Sequence, residues 1–312
     1  MKPQKYFQVQ RTTPCGGFTR LDLVAVIAVL GVLFLIILPA LAKPGLNSKV
    51  VQCLNNHRQL CNAWHMYADD NNDVLLYAST GSGGGRSGGS VFVSPAGNKP
   101  DDFAWSGAHM NFDGSNLANY DPRVDLQKRQ LWAYNRSMGI YKCPSDLSAI
   151  VNLSGATVPR ILSVSMNLYV GGFAPTAGSG SLSGTDGGWP FAASYRIFSK
   201  TTELTKPGPA KAFVFIDMRP DYANWGNFMQ DMSGYSPIAP SVRTFNDLPG
   251  MYHDRAASIS FADGHTEIKR WQDARTTPPL AANGQLLNFD GVASGKNNQD
   301  VYWLQDHSTA PK

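Results

Sequence analysis

The chain has 312 residues and a formal net charge of +4, and only 16% of its side chains are charged. Lys2, Lys5 and Arg11 account for +3 of that charge, which leaves 24 basic and 23 acidic side chains in residues 18–312. A nucleic-acid-binding domain would carry a clear basic excess, so we expect no nucleic-acid partner. The 30 glycines and 20 prolines predict a domain with many turns.

The first predicted element is an apolar helix near the N-terminus. Residues 23–42 carry no charge, and about 20 residues at 1.5 Å each span the roughly 30 Å hydrocarbon core of a bilayer. The basic flank before this run predicts a cytoplasmic N-terminus, so the remaining chain would lie across the membrane. Asp22 at the edge of the run is unexpected in a simple anchor, because an aspartate deep in a spanning helix costs about 2.5–3.5 kcal/mol.

This segment resembles the N-terminal signature of type IV prepilins and type II secretion pseudopilins. Gly17 precedes Phe18, Asp22 is the fifth residue counted from Phe18, and Pro39 is the twenty-second. The resemblance implies that a prepilin peptidase cuts between Gly17 and Phe18 and methylates the new amine. It also implies that the Asp22 carboxylate pairs with the N-terminal amine of a neighbouring subunit, which would offset the desolvation of both charges. The chain departs from the signature at Asp22, where glutamate is usual, and at Arg20, where an apolar residue is commoner.

An ordinary secretory signal is the alternative interpretation of the same residues. A basic start, an apolar run and Ala40-Leu41-Ala42 would fit cleavage after Ala42. However, the apolar run exceeds the usual core of about 7 to 15 residues, and Asp22 is unfavourable in such a core. We therefore favour a leader at residues 1–17 and a retained transmembrane helix at 18–43.

An amphipathic stalk helix is predicted next, at residues 44–76. Its apolar stripe has a spacing of three or four residues and consists of Val50, Leu54, His57, Cys61, Trp64 and Ala68. We expect this stripe to face the core of the domain that follows.

Three cysteines remain after the predicted leader. On one helix, Cys53 and Cys61 would lie about 12 Å apart along the axis, which is too far for a disulfide. Any disulfide within the chain must therefore join Cys143 to one of the other two, and three unpaired thiols remain the alternative.

Residues 77–312 predict an extracytoplasmic globular domain rich in β-strands, with Gly/Ser-rich loops at 79–102 and 178–188. Strands are predicted at 160–170, 212–218, 256–262 and 265–271. Asp263-Gly264 between the last two predicts a tight hairpin. The expected fold class is α+β, with a long pilin-like N-terminal helix packed on an antiparallel sheet.

The region of this hairpin carries a second resemblance. His253, nine further residues and then Asp263-Gly264 resemble the H-X9-DG signature of a family of prepilin-type proteins. Other landmarks of that family occur in the same order, at residues 53–60, 66–72, 141–146, 165–167, 215–217 and 303–304. The resemblance therefore covers the chain from the leader almost to the C-terminus, and it implies a relationship to the pseudopilins of type II secretion.

His253, Asp263, His265 and Asp217 are candidate ligands for a divalent metal such as zinc. The simpler interpretation is structural, because Asp263 suits the turn and His253 could hydrogen-bond the backbone of that turn. Calcium is a second candidate, with oxygen ligands from residues 69–73 and 111–114, although neither matches an EF-hand loop. We therefore assign no metal or cofactor from the sequence.

Together, the two resemblances imply a non-enzymatic pseudopilin-like subunit of the bacterial cell envelope. It would be a single-pass inner-membrane protein with a periplasmic C-terminal domain. Its partners would be the prepilin peptidase, other pseudopilin subunits and the secretion machinery, and it would assemble into a type II secretion-like pseudopilus or a surface fibre.

The alternative function is a membrane-tethered binding protein that does not polymerise. Trp105, Trp189 and Trp225 would then grip polysaccharide or another extracellular ligand. An enzyme is not predicted, because the G-x-S-x-G pattern at residues 85–89 lacks the flanking strand and helix of a nucleophile elbow.

Overall fold

A computed structural model describes residues 19–41, 46–80, 103–174, 194–232, 234–235, 242–245, 247–281 and 292–312. Within these ranges, the side chains of 35–41, 46–47, 242–245 and 292–296 are not described. The chain forms two compact units, Met1–Gly45 and Leu46–Lys312.

The first unit contains helix α1, Arg20–Leu41. Every side chain of α1 that the structure describes is exposed, and the large apolar ones range from 46% exposed at Leu33 to 80% at Leu21. Taking only described residues, no helix is both long enough and apolar enough to cross a bilayer. Residue 18 and residues 42–43 of the predicted span lie outside the described part of the chain.

The second unit holds the remaining described helices and strands. The helices are α2 (Leu46–Asp70), α3 (Trp132–Asn135) and α4 (Gln299–Ser308), with short 3-10 helices at Leu117–Asn119, Leu126–Lys128, Met138–Tyr141, Thr201–Glu203 and Ala274–Thr276. The strands are β1 (Ala149–Val151), β2 (Thr157–Pro159), β3 (Val164–Asn167), β4 (Phe213–Asp217), β5 (Asn227–Phe228), β6 (Val242–Phe245), β7 (Ala256–Phe261), β8 (Thr266–Arg270) and β9 (Val292–Lys296).

The central sheet has five strands in the order β5-β3-β4-β7-β8. The pairs β3–β4, β4–β7 and β7–β8 are antiparallel, but β5 runs parallel to β3. The prediction of an α+β fold is thus confirmed, whereas the prediction of a wholly antiparallel sheet was wrong. The parallel strand has only two residues, so it is too short to produce a periodic pattern in the sequence.

Helix α2 packs on this sheet through four of the six residues of the predicted stripe, while Val50 and Leu54 are only partly buried. His57, Cys61, Trp64 and Ala68 are all at most 1% exposed. The helix ends at Asp70 and not at residue 76, because the chain then turns through left-handed residues at Asn72 and Asp73, a common way to end a helix.

Strand β7 shows why α2 can approach the sheet. Alternate side chains of a strand point to opposite faces, and Ala257, Ile259 and Phe261 join a hydrophobic core that includes Val301 and Leu304 of α4. On the other face, Ser258 lies beside Cys53 and Ser260 beside Cys61. These small side chains leave room for α2, which contacts β4, β7 and β8.

Candidate functional site

Four side chains meet where α2 crosses the sheet. They are Cys53 of α2, Cys143 after the 3-10 helix Met138–Tyr141, Asp217 at the end of β4 and His253 in the turn before β7. One donor atom from each, two sulfurs, one carboxylate oxygen and one imidazole nitrogen, lies within 4.8 Å of the other three. We call this set the thiol cluster.

Asp217 occupies the centre of the thiol cluster and is fully buried. The Cys53 thiol lies 3.3 Å from its Oδ2, and the backbone N–H of Ser258 donates to the same oxygen at 2.9 Å. His57 Nε2 lies 3.1 Å from Oδ1. Because a buried carboxylate is costly unless it is paired, these three contacts explain how Asp217 is tolerated in the core.

His57 lies one helical turn after Cys53 on the same face of α2, so its imidazole also faces the cluster. Burial by itself would raise the pKa of Asp217, but the charge and hydrogen bond of His57, together with the hydrogen bonds from the Ser258 N–H and the Cys53 thiol, outweigh it and hold the pKa below the usual range. His57 therefore stabilises the ionised carboxylate at the centre of the cluster.

Gly250 fixes the backbone beneath Asp217. Its N–H donates to the Asp217 carbonyl at 2.6 Å, and a Cβ at position 250 would lie 2.8 Å from the Asp217 Cβ. Any other residue at 250 would therefore displace the end of β4 and the carboxylate with it.

Cys143 and His253 form the other half of the thiol cluster. The Cys143 Sγ lies 3.3 Å from His253 Nε2, and the Cys143 N–H donates to the Ser163 hydroxyl at 2.9 Å. The turn after His253 contains Asp254 and Arg255 with left-handed φ values of 56° and 58°. Such a conformation is unfavourable for residues with a Cβ, so the packing around the turn must hold His253 in place.

The two thiols of the cluster differ in acidity. The hydrogen bond with Cys53 and the proximity of His253 lower the pKa of Cys143. The hydrogen bond to Cys143, burial and the charge of Asp217 raise the pKa of Cys53. Cys143 is therefore the more readily ionised of the two.

This arrangement could bind a metal ion through sulfur, nitrogen and oxygen, or could join Cys53 to Cys143 as a disulfide. All three described cysteines are free thiols. Of the two predicted partners for Cys143, Cys53 lies beside it, whereas Cys61 donates to the Phe261 carbonyl at 3.2 Å.

The four predicted metal ligands lie in two separate places in the structure. Asp217 and His253 belong to the thiol cluster, but Asp263 and His265 pair with each other in the β7–β8 hairpin, with 2.6 Å between His265 Nδ1 and Asp263 Oδ1. Six residues of β7 span about 20 Å, so residues at its two ends cannot share one ion. Grouping these four residues as ligands of one site was therefore wrong.

The hairpin itself confirms a prediction. Gly264 has a φ of 91°, which favours glycine, and β7 pairs with β8 in antiparallel register. The two ends of the H-X9-DG pattern thus have different structural roles. His253 belongs to the thiol cluster, and Asp263-Gly264 makes the turn.

The carboxylates of the oxygen-rich segments proposed for calcium accept hydrogen bonds from protein groups. Asp113 accepts from the N–H and hydroxyl of Ser115, and the Asn111 side-chain oxygen accepts from Asp113, Asn116 and Asn119. In the segment 69–73, Asp73 bonds Thr201 and Thr202 while Asp70 bonds Tyr134. In the described residues these carboxylates point to different partners, and neither segment forms a cage.

The N-terminal processing and assembly residues are only partly described. Gly17 and Phe18 lie outside the described residues, as does the side chain of Pro39. Asp22 has a local role that the sequence analysis did not assign. Its carboxylate accepts from both the N–H and the hydroxyl of Thr19 at 2.8 Å, and its own N–H donates to that hydroxyl at 3.2 Å. These reciprocal bonds form a capping box at the start of α1.

The tryptophans of the alternative binding function are not equally available. Trp105 is fully buried, stacks on Tyr141 and donates to the Gly226 carbonyl at 2.7 Å. Trp225 is half-buried beside His109, and Trp189 lies outside the described residues. Trp105 is therefore a core residue and cannot contribute to a surface that grips a ligand.

Sequence reasoning found Asp217 and His253 but missed how Cys53, Cys143 and His57 combine with them. The i, i+4 spacing of Cys53 and His57 on a predicted amphipathic helix was the available signal. No family model matches the chain, and no curated protein or solved structure shows significant similarity to it.

Proposed function

We propose that the chain is a non-enzymatic, prepilin-type subunit of the bacterial inner membrane. A prepilin peptidase would cleave it between Gly17 and Phe18. The helix at 18–43 would hold it in the membrane with its C-terminal domain on the periplasmic side. Other pseudopilin-like subunits and the secretion machinery would then assemble it into a type II secretion-like pseudopilus or a surface fibre.

The observation that carries this proposal is the exposed apolar surface of α1. Ten large apolar side chains between Leu21 and Phe34 are each at least 46% exposed. A continuous apolar surface of this kind is unfavourable in water and marks contact with lipid or with another protein. A helix that moves from a bilayer into a fibre would meet both partners in turn.

Asp22 provides the means of testing assembly. In the proposed fibre, its carboxylate pairs with the N-terminal amine of a neighbouring subunit. Within one chain, the same carboxylate caps α1 through Thr19. Both roles would make Asp22 sensitive to substitution, so the experiment must separate them.

The matched variants are Asp22→Ala and Thr19→Ala, expressed as full-length chains in the native envelope. Thr19→Ala removes the hydroxyl of the cap and keeps the carboxylate, at a cost of about 1 kcal/mol to the start of the helix. We expect Asp22→Ala to lower the yield of chemically crosslinked oligomers at least several-fold, and Thr19→Ala to leave it near the wild-type level. Membrane fractionation should be unchanged in both.

Equal losses in the two variants would assign Asp22 to capping, and an unchanged yield in both would contradict assembly through Asp22. Mass spectrometry of the mature N-terminus tests the processing step independently. A methylated Phe18 is expected, whereas a chain starting at Lys43 would identify an ordinary secretory signal.

A further inference from the structure

The donor set of the thiol cluster has the chemistry of a zinc site. Cysteine sulfur, histidine nitrogen and aspartate oxygen are the usual ligands of Zn²⁺, which prefers four of them in a tetrahedron. With metal–ligand bonds of about 2.0–2.3 Å, the edges of such a tetrahedron measure about 3.3–3.8 Å. Two edges of the cluster measure 3.3 Å, from Cys143 Sγ to His253 Nε2 and from Cys53 Sγ to Asp217 Oδ2.

We propose that Cys53, Cys143, Asp217 and His253 bind one Zn²⁺ ion as a closed structural site. Each of the four side chains is at most 6% exposed, so the protein supplies the complete ligand set without an open position for substrate. The ion would therefore stabilise the fold and would not take part in catalysis. This inference does not depend on the proposed membrane insertion and assembly through α1.

A disulfide between Cys53 and Cys143 explains less of the geometry. It would use two of the four donors and would remove the thiol proton that now meets the fully buried Asp217 carboxylate. His253 and Asp217 would still lie beside the two sulfurs, but a disulfide would not require either of them. Zinc uses all four groups, and it replaces the thiol protons as the partner of the sulfurs.

The surroundings orient the ligands as in known zinc sites, where outer hydrogen bonds fix the ligating groups. Asp217 keeps His57 on Oδ1 and the Ser258 N–H on Oδ2. His57 is thus a positioning residue that holds the carboxylate and does not bind the ion itself.

The four ligands come from segments that are far apart in sequence, and this defines the role of the ion. One ligand lies on α2, one on the loop after Met138–Tyr141, one at the end of β4 and one before β7. A single ion would therefore clamp α2 to the sheet and to the turn that precedes β7.

The test uses the full-length chain, purified in detergent and reductant without metal-affinity resin. Elemental mass spectrometry should find about one zinc per chain. After removal of zinc, a Co²⁺ titration should produce thiolate-to-cobalt charge transfer and visible bands of tetrahedral cobalt at one equivalent. Removing the metal with a chelator should also lower the thermal unfolding midpoint.

The variants Cys143→Ser and Asp217→Asn should weaken Co²⁺ binding at least about ten-fold. Cys61→Ser is the matched control, because Cys61 is also a buried thiol on α2 but bonds the Phe261 carbonyl outside the cluster. This control should keep wild-type stoichiometry and spectrum. If a ligand variant does not fold, the cobalt spectrum of the wild type still tests the site.

Three results would overturn the proposal. The first is a folded, reduced wild-type chain that binds neither zinc nor cobalt. The second is metal binding that Cys143→Ser leaves unchanged. The third is a Cys53–Cys143 disulfide mapped by mass spectrometry in protein isolated without reductant, which would make the pair a covalent link instead.

Discussion

Helices α1 and α2 have similar lengths, 22 and 25 residues, but their side chains meet opposite environments. The described part of α1 is exposed on every side, although most of its residues are apolar. By contrast, α2 buries one stripe against its own sheet and exposes the other face, including Val51 at 64%. The stability of α2 therefore comes from packing within its own unit, whereas in the function proposed above α1 is stabilised by lipid or by neighbouring subunits.

The sharpest test of this difference is the same substitution made on each helix. Leu60 of α2 is fully buried, so Leu60→Ala should cost about 2–5 kcal/mol of unfolding free energy. Leu30 of α1 is 54% exposed, so Leu30→Ala should change the stability of the second unit by less than about 0.5 kcal/mol. Tryptophan fluorescence during denaturant unfolding measures this unit alone, because all seven tryptophans lie between residues 64 and 303. Similar losses in the two variants would contradict the comparison.

A second test uses pH and the buried face of α2. Burial, followed by the charge of Asp263, raises the pKa of Cys61 to about 12. The unfolded thiol titrates near pH 8.5, so the protonated thiol stabilises the fold fully below about pH 8.5, and this contribution falls as the pH rises toward 12. The stability gap between wild type and Cys61→Ala should therefore shrink by about 1–2 kcal/mol between pH 8.5 and pH 10.

Denaturant unfolding in reductant measures that gap, and groups present in both proteins cancel in the difference. A gap that stays constant with pH would show that Cys61 is not held in its neutral form by the core. No described residue of α1 is a cysteine, histidine or tyrosine, so α1 should add no pH dependence in this interval.

The smallest expected effect is on the outward face of α2. Val51→Ser should alter the unfolding free energy by no more than about 0.5 kcal/mol, because its side chain is already largely in water. Ala63→Ser is the buried counterpart at 2% exposure, and it should cost about 1–3 kcal/mol by adding a hydroxyl to the core. A loss above about 1 kcal/mol for Val51→Ser would mean that this face is also packed within the domain.

The sequence predicted those parts of the fold that leave a periodic signal. The α2 stripe and the β7–β8 hairpin follow from spacing and turn chemistry, and the central strands β3 and β4 lie inside their predicted ranges. Strand β5 could not be predicted in this way, because two residues carry no period and its pairing with β3 is decided by tertiary contacts.

The residues of the candidate site could be singled out from the sequence, but the way in which they group could not. Asp217 and His253 were candidate metal ligands, while Cys53 and Cys143 were considered only for a disulfide. Sequence proximity then linked His253 with Asp263 and His265, although the intervening strand β7 separates them. The contacts that select the true neighbours form only when α2 lies across β4 and β7.

The wide separation of the cluster residues along the chain also imposes an order on folding. Contact between Cys53 and His253 closes a loop of about 200 residues, and such distant contacts form slowly compared with helices and hairpins. Cys53 and Cys143 are synthesised before Asp217 and His253, so both thiols exist before the other two ligands of the cluster are present. A chain that stops before residue 253 cannot complete the cluster. The cluster can therefore form only after α2, β4 and the turn before β7 have all packed in their native positions.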